Sequence, residues 1–488
     1  MSERKRRLFE EERVLRAVLQ LALPTIISQI ILVVYNMADT YFIGLTNSDV
    51  KLSAVTVCLP AFMFLSALAN LFGIGGAATI SRALGGGDRN RAQAVASFSF
   101  WGCVGTTLLY AALAFLFRQR FVYLLGGIHE AVRAEAVVYL NVTVVLGGLF
   151  TALNSLLSHL VRSEGRAVKA GIGVALGGVL NIALDPVFMF WLLPPGQEVY
   201  GAALATMLSN LVACVYFLIL LLRLQKRGSV LNLRFRPASW EGKTITEVLK
   251  TGLPACLMTL FENVSYAVMD HLIAYGGVAM QAGVGVAKKI NMLAHSIVRG
   301  MAQGVLPLIA YNYGCGNTAR MRRAVLTGAL LSVSLAALCM AGNLIFAWPL
   351  GDLFTAYGES QRFGVRFLRI LSLGGPFSAF GYVVISYMQA VNENAKSFLL
   401  AVLRKGILDI PMMFLLLRLA GVESTVWATP AADLICCATA ICLFAASLRK
   451  LGAGALGSRN RDQGSECRGG HRPPAIHRGR ANKQEEGL

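Results

Sequence analysis

The chain has 488 residues, of which 56% are hydrophobic and only 15% charged, and it carries a formal net charge of +19. An ordinary soluble domain carries about 25% charged residues, so the composition argues against a soluble globular protein. The basic residues gather at the ends of apolar runs and in the tail, where they serve topology and contact with anionic membrane lipids; no nucleic acid is expected as a partner.

Apolar runs of a length near the ~20 residues that cross a bilayer as a helix recur along the chain. They lack the period-two alternation of barrel strands. The expected fold is an all-α polytopic membrane protein with twelve transmembrane helices. They fall near 18–44, 52–81, 93–117, 131–160, 167–193, 199–223, 245–275, 281–311, 323–348, 362–390, 396–419 and 424–448. The organisation is an N-terminal segment (1–17), a first six-helix bundle (18–223), a flexible cytoplasmic linker (224–244), a second bundle (245–449) and a disordered basic tail (450–488). The opening "SERKRR" imitates a signal peptide. The run behind it is longer than a typical signal core and contains Asp39, so it is expected to remain as a spanning helix.

In chain order, the first helix holds "YNMADTYF", with Asn36 and Asp39 on one face. "GGGDRNRAQ" follows the second helix. It reads as a tight turn in which Gly85 to Gly87 end one helix and Asp88 caps the next. The fifth helix holds "NIALDPVFMF", with Asn181 and Asp185 one turn apart and Pro186 directly after. Thr206 lies in the sixth. A carboxylate at mid-membrane costs roughly 2.5–3.5 kcal/mol on insertion scales, so it persists where it is paired, protonated or useful. Asp39, Asp185, Asn36, Asn181 and Thr206 form an oxygen-rich set suited to sodium or to a proton shared between acids.

"EGKT" (241–244) imitates the end of a phosphate-binding loop, but Pro237 stands where the pattern needs glycine, so no nucleotide site is expected. The seventh helix carries Glu262 at its middle, with Asp270 and His271 nearer its far end. The latter two are expected to cap the helix or to pair with Lys288 or Lys289. Lys288, Lys289, His295 and Arg299 load the eighth helix; they either line a wet cavity or partner Glu262. The ten cysteines are scattered, with no CxxC and no ligand spacing, so neither a disulfide framework nor a metal site is expected.

The halves repeat. Pro24 in "LALPTII" matches Pro254 in "KTGLPAC" at an offset of 230, and Gly86 matches Gly316 at the same offset. "LGGLFTAL" (146–153) echoes "LGGPFSAF" (373–380). Three echoes in order indicate an internal duplication. Six helices per half make the repeats parallel, related by a pseudo-two-fold axis along the membrane normal. The loops after even-numbered helices are the basic ones, with Arg82, Arg89, Arg91, Arg162, Arg166, Lys169, Arg320, Arg322 and Arg323. The positive-inside rule therefore puts both termini in the cytoplasm.

"LPTIISQIILVVYNMADTYFIG", "ALGGGDRNRA", "NIALDPVFMF", "LPLIAYNYGCGN" and "VWATPAADL" together resemble the multidrug and toxic compound extrusion (MATE) family, over roughly 15–448. The resemblance implies a plasma-membrane exporter of amphipathic, often cationic compounds, driven by proton or sodium entry. It implies no enzyme activity, no cofactor beyond the coupling ion, and a monomer. Asp39, Asn181, Asp185 and Thr206 match the family's cation-site residues, and Tyr139 a tyrosine near that site. Glu262 matches an acidic position used by another branch, which pairs it with an acid in the tenth helix; here Ser378 stands there. The alternative reading is a lipid-linked precursor flippase of the same superfamily, which needs a strongly cationic cavity.

Overall fold

The computed structural model describes residues 6–46, 48–235, 237–352 and 358–458. The expectation of a disordered tail lies, from residue 459 onward, outside the described residues. Among the described residues every regular element is helical, with no strand.

The first bundle contains α1 (Val14–Gly44), α2 (Asp49–Gly85) and α3 (Arg89–Leu116). In α4, Glu130–Leu140 and a π-helical turn, Asn141–Leu146, meet Gly148–Ser163 at a bend of 48°. α5 (Ala167–Pro186) ends in a π-helical turn, Val187–Leu192, and α6 is Glu198–Gln225. The second bundle contains α7 (Gly242–Ala274), α8 (Val278–Gly314) and α9 (Thr318–Ile345). α10 joins Glu359–Ser372 to Gly375–Ala390 at 44°. α11 is Asn394–Val402, a π-helical turn Leu403–Asp409, and Ile410–Ala420. α12 is a 3₁₀ turn, Val422–Trp427, running into Ala428–Ser458.

Eight of these helices are long and apolar enough to cross a bilayer, ten if α4 and α10 each count as one span. The two that fall short are α7, with Glu262, and α11, whose π-helical turn buries Arg404, Lys405 and Asp409. Charge inside the helix, not missing length, lowers their apolarity. On α1, Leu15, Leu19, Leu23 and Ile27 recur every four residues and are all exposed. Such a stripe belongs against lipid tails. All five tryptophans are exposed too: Trp191, Trp348 and Trp427 near the end away from the termini, Trp101 and Trp240 near the other. That is the distribution of a membrane-interface belt.

The turn after α2 behaves as its sequence predicts. Gly87 has φ +78° and the Asp88 side chain accepts from the Arg91 N–H at 2.9 Å. After α8, Gly316 has φ +76° and Asn317 accepts from the Arg320 N–H at 3.0 Å. The structural equivalents are thus Gly87 with Gly316 and Asp88 with Asn317. The repeat slips by one residue from the offset of the Pro24–Pro254 match, because the turn glycine is the one with positive φ.

The bundles meet mainly through the terminal-side halves of α1, α2, α7 and α8, with smaller contacts from α3, α4, α9 and α10. A Cβ at Gly252 would strike the Leu71 carbonyl and one at Gly304 the Ala22 backbone. One at Gly85 would strike the Tyr311 carbonyl and one at Gly314 the Arg82 carbonyl. These are contacts related in pairs by the pseudo-two-fold axis. Arg82, expected in a loop, is buried in this seam instead. It donates to the carbonyls of Gln389 (2.6 Å) and Ala390 (3.1 Å) and pairs with Glu247 at 3.2 Å. Above the seam the bundles part around a central cavity.

The segment between α6 and α7 is not a free tether. Ser97 and Trp101 of α3 donate to the carbonyls of Arg234 (2.9 Å) and Leu233 (2.8 Å), and Glu164 accepts from Ser229 Oγ at 2.6 Å and the Val230 N–H at 2.8 Å. Val230 and Leu231 join the apolar core of the first bundle. Apolar residues in the polar stretch, 225–244, explain the docking.

Candidate functional site

In the first bundle, α5 carries Asn181 and Asp185 on one face, and α6 presents Thr206 to them. Asn181 Nδ2 donates to Asp185 Oδ1 at 3.2 Å and to Thr206 Oγ1 at 3.3 Å. Asp185 is 0% exposed, Asn181 1% and Thr206 5%, so water does not compete for this arrangement. Asp39 of α1 interacts electrostatically with Asp185, and both act on Tyr139 of α4 and Tyr35 of α1. Tyr139 is buried. Of the sequence-derived set, Asn36 stands apart: it faces the cavity, and its amide donates to its own helix at the Leu32 carbonyl (2.7 Å).

Three buried oxygens in this group have no hydrogen-bond partner: Asp39 Oδ1, Asp185 Oδ2 and Asn181 Oδ1. Among the described residues, neither carboxylate joins an ion pair, and no cluster of three or more His, Cys, Asp or Glu suits a metal ion. An unpaired buried carboxylate is costly. Oxygens left free in a dry pocket suit a hard cation or a proton, and Thr206 Oγ1 adds a neutral ligand. Pro186 sits next to Asp185 and cannot donate to the helix. The π-helical turn begins at the next residue, so the site adjoins backbone that is already irregular.

The second bundle answers differently. Each buried acid there has its own cation: Glu262 with Arg299 (2.8 Å), Asp433 with Arg404 (2.6 Å) and Asp409 with Lys405 (2.7 Å). Asp409 also accepts from Ser265 (2.6 Å) and Thr429 (3.0 Å), and Arg404 stacks over Tyr382 at 4.6 Å. Asp270 pairs with Lys288, as expected. Ser378 is buried and bonds only to its own helix, at the Gly375 carbonyl (2.8 Å). The sequence reading missed Arg404, Lys405, Asp409 and Asp433. The signal was present in "LRKGILDIP", where two adjacent cations are followed by an acid four residues after the second, inside an apolar run.

Between the bundles lies a cavity of about 170 Å³. Asn36 and Asn181 line its first-bundle wall, Glu262 and Arg299 the opposite wall, and Gln29, Arg162 and Gln303 its floor. Gln29 Nε2 to Gln303 Oε1 (3.0 Å) and Asn70 Nδ2 to Thr259 Oγ1 (3.0 Å) are polar links across the bundles. Arg162, expected among loop charges, is buried at 3% exposure.

The MatE family model matches residues 24–187 and 254–415. The multidrug export protein MepA of Staphylococcus aureus (strain MRSA252) is 28% identical over 434 residues, which is 89% of this chain and 94% of that protein. MepA of Staphylococcus saprophyticus is 29% identical over the same shares. Among solved structures, a MATE in complex with MaD3S covers 93% of this chain and all of its own at a TM-score of 0.85 and 23% identity. The outward-facing conformation of a multidrug resistance MATE transporter of the MOP superfamily gives the same score and identity, covering 93% and 99%. At that identity the likeness speaks for the fold: twelve helices in two bundles.

Proposed function

The chain belongs to the MatE family, and from that premise we propose that it is a secondary active multidrug exporter working by antiport. Protons or sodium ions enter through Asp39, Asn181, Asp185 and Thr206, and amphipathic, often cationic compounds leave through the central cavity. Tyr139 shields the ion site. Glu262 serves the cavity wall, with Arg299 as its partner. The observation that carries the reading is a pair of carboxylates outside any ion pair among the described residues, half-buried Asp39 and fully buried Asp185, each with a buried free oxygen, beside a cavity between two bundles.

On this reading the protein works as a monomer among lipids of the plasma membrane, with both termini in the cytoplasm. It catalyses no covalent chemistry and uses no cofactor besides the coupling ion. The sealed seam then faces the cytoplasm and the cavity faces outward. An ion that favours one state and a drug that favours the other must weaken each other's binding reciprocally. The flippase alternative, which needs a strongly cationic cavity, loses support because Arg299 is paired with Glu262, which leaves Arg162 as the one cavity-lining Lys or Arg among the described residues without a carboxylate.

The test is transport in liposomes. Purified protein should move a cationic dye against its gradient when either a proton or a sodium gradient is imposed. The Asp39→Asn, Asp185→Asn double variant should not. Dye movement that ignores both gradients in the wild type refutes antiport.

A further inference from the structure

The cavity floor holds a charge that the export reading leaves unused. Arg162, near the end of α4, is permanently cationic and 3% exposed, and among the described residues it joins no ion pair. Its partners are neutral. Nη2 donates to Ser158 Oγ at 3.0 Å, and Nη1 donates to His159 Nδ1 at 3.3 Å and to Gln303 Oε1 at 3.3 Å. Nε is buried and has no acceptor. The second bundle's buried cations, Arg404 and Lys405, each sit on a carboxylate. A buried guanidinium without one is costly, and here it lines the transport cavity.

Gln303 Oε1 accepts from Arg162 and from Gln29 Nε2 together. A neutral amide oxygen thus occupies a point where donors from α4 and α1 converge. A carboxylate oxygen at that point would accept the same bonds with full charge, and guanidinium–carboxylate geometry favours such pairing. Gln29 and Asp39 lie ten residues apart on α1, or about 15 Å at the helical rise. The cavity therefore has a cationic floor and an acidic site roughly 15 Å above it.

We propose that Arg162 anchors an anionic group, a carboxylate, on transported compounds, and so decides how the cavity discriminates a zwitterion from the plain cation on the same skeleton. The anchor lies at the seam, so parting of the bundles on the terminal side breaks the Arg162–Gln303 bond and presents the guanidinium to the entering compound. The proposal rests on the reading of the central cavity as the transport path.

The probes are tetramethylrhodamine, which carries a free carboxylate, and its methyl ester, which is a plain cation on the same ring system. Affinities are read by fluorescence anisotropy on protein in phosphatidylcholine nanodiscs. Arg162→Gln should weaken binding of the acid roughly 10- to 100-fold, the scale of a lost charged hydrogen bond. Ester binding should stay within about twofold, which also reports an intact fold, and Arg162→Lys should recover part of the loss. Equal losses for both dyes, or no loss for the acid, overturn the proposal and leave export of cations standing. If the wild type binds neither dye, the cavity reading and this proposal fall together. If adding phosphatidylglycerol to the discs abolishes the wild-type dependence on Arg162, the anion is a lipid headgroup, and the substrate assignment is wrong.

Discussion

At the scale of single residues, the two bundles hold carboxylates under opposite conditions. Asp185 has a free oxygen and no cation; Asp433 shares its charge with Arg404, and both are 1% exposed. The same Asp→Asn change should therefore act with opposite signs. Asp185→Asn keeps a group able to accept from Asn181 and removes an uncompensated acid. It should melt in detergent at the wild-type temperature or above, while gradient-driven export falls by about tenfold or more. Asp433→Asn strands a buried guanidinium, and breaking such a pair costs about 3–5 kcal/mol. It should melt well below the wild type. Melting curves for the two variants side by side check this; a fall for Asp185→Asn equal to that for Asp433→Asn would mean that Asp185 is a structural acid. Asn181 and Asp185 were legible because an amide and an acid one turn apart, with apolar residues on both sides, have no ordinary use. Arg162 was not legible, because an arginine near a helix end reads as a loop charge until the partner bundle is seen to cover it. Asp433 stayed hidden because its partner lies 29 residues away in sequence and meets it only through the π-helical turn of α11.

At the scale of elements, small residues decide how the bundles close. Helix pairing in a membrane relies on close backbone approach, which small side chains permit. Gly252 on α7 sits directly on the Leu71 carbonyl of α2, where even one methyl group has no room. Gly252→Ala should hold α2 and α7 apart and populate states open on the terminal side. Spin labels at Asn90 and Arg322, both exposed at the ends beyond the seam, should report a longer distance by double electron–electron resonance. An unchanged distance distribution would mean that the seam yields without opening. The sequence announces the twelve helices because apolar length is a local property. It does not announce the seam, because glycines in membrane helices recur everywhere and only the three-dimensional pairing singles out those pressed against the other bundle's backbone.

At the scale of the molecule, the closed side is reinforced by a piece of chain that the sequence reading treated as a mere leader to α1. Arg7–Glu11 forms a π-helical turn. Phe9 is 1% exposed, stacks on Tyr311 of α8 with ring centroids 4.7 Å apart, and fills the space over Gly165 in the α4–α5 turn. Its carbonyl accepts from Arg320 Nε at 2.6 Å and Asn312 Nδ2 at 3.3 Å, and Glu10 accepts from the Tyr311 hydroxyl at 2.7 Å. One short segment therefore touches a turn of the first bundle and a helix end of the second, across the seam. Its apolar partners are continuous with a core that already joins Ala17, Val18 and Leu21 of α1 to Leu308, Ile309 and Val325 of the second bundle. If the terminal side opens during transport, contacts that span the seam bias the two-state equilibrium by whatever free energy the open state forfeits. Replacing a buried phenylalanine by alanine costs about 3–5 kcal/mol. If most of that belongs to the closed state alone, Phe9→Ala should shift the balance by about two to three orders of magnitude toward the terminal-side-open state. The label pair at Asn90 and Arg322 should then show the long distance as the main population, without any change at the ion site. Arg320→Ala, which removes the donor to the Phe9 carbonyl while sparing the ring, should move the same population in the same direction by less. A Phe9→Ala protein that is folded yet keeps the wild-type distances would show that the segment packs equally well in both states and has no part in the switch.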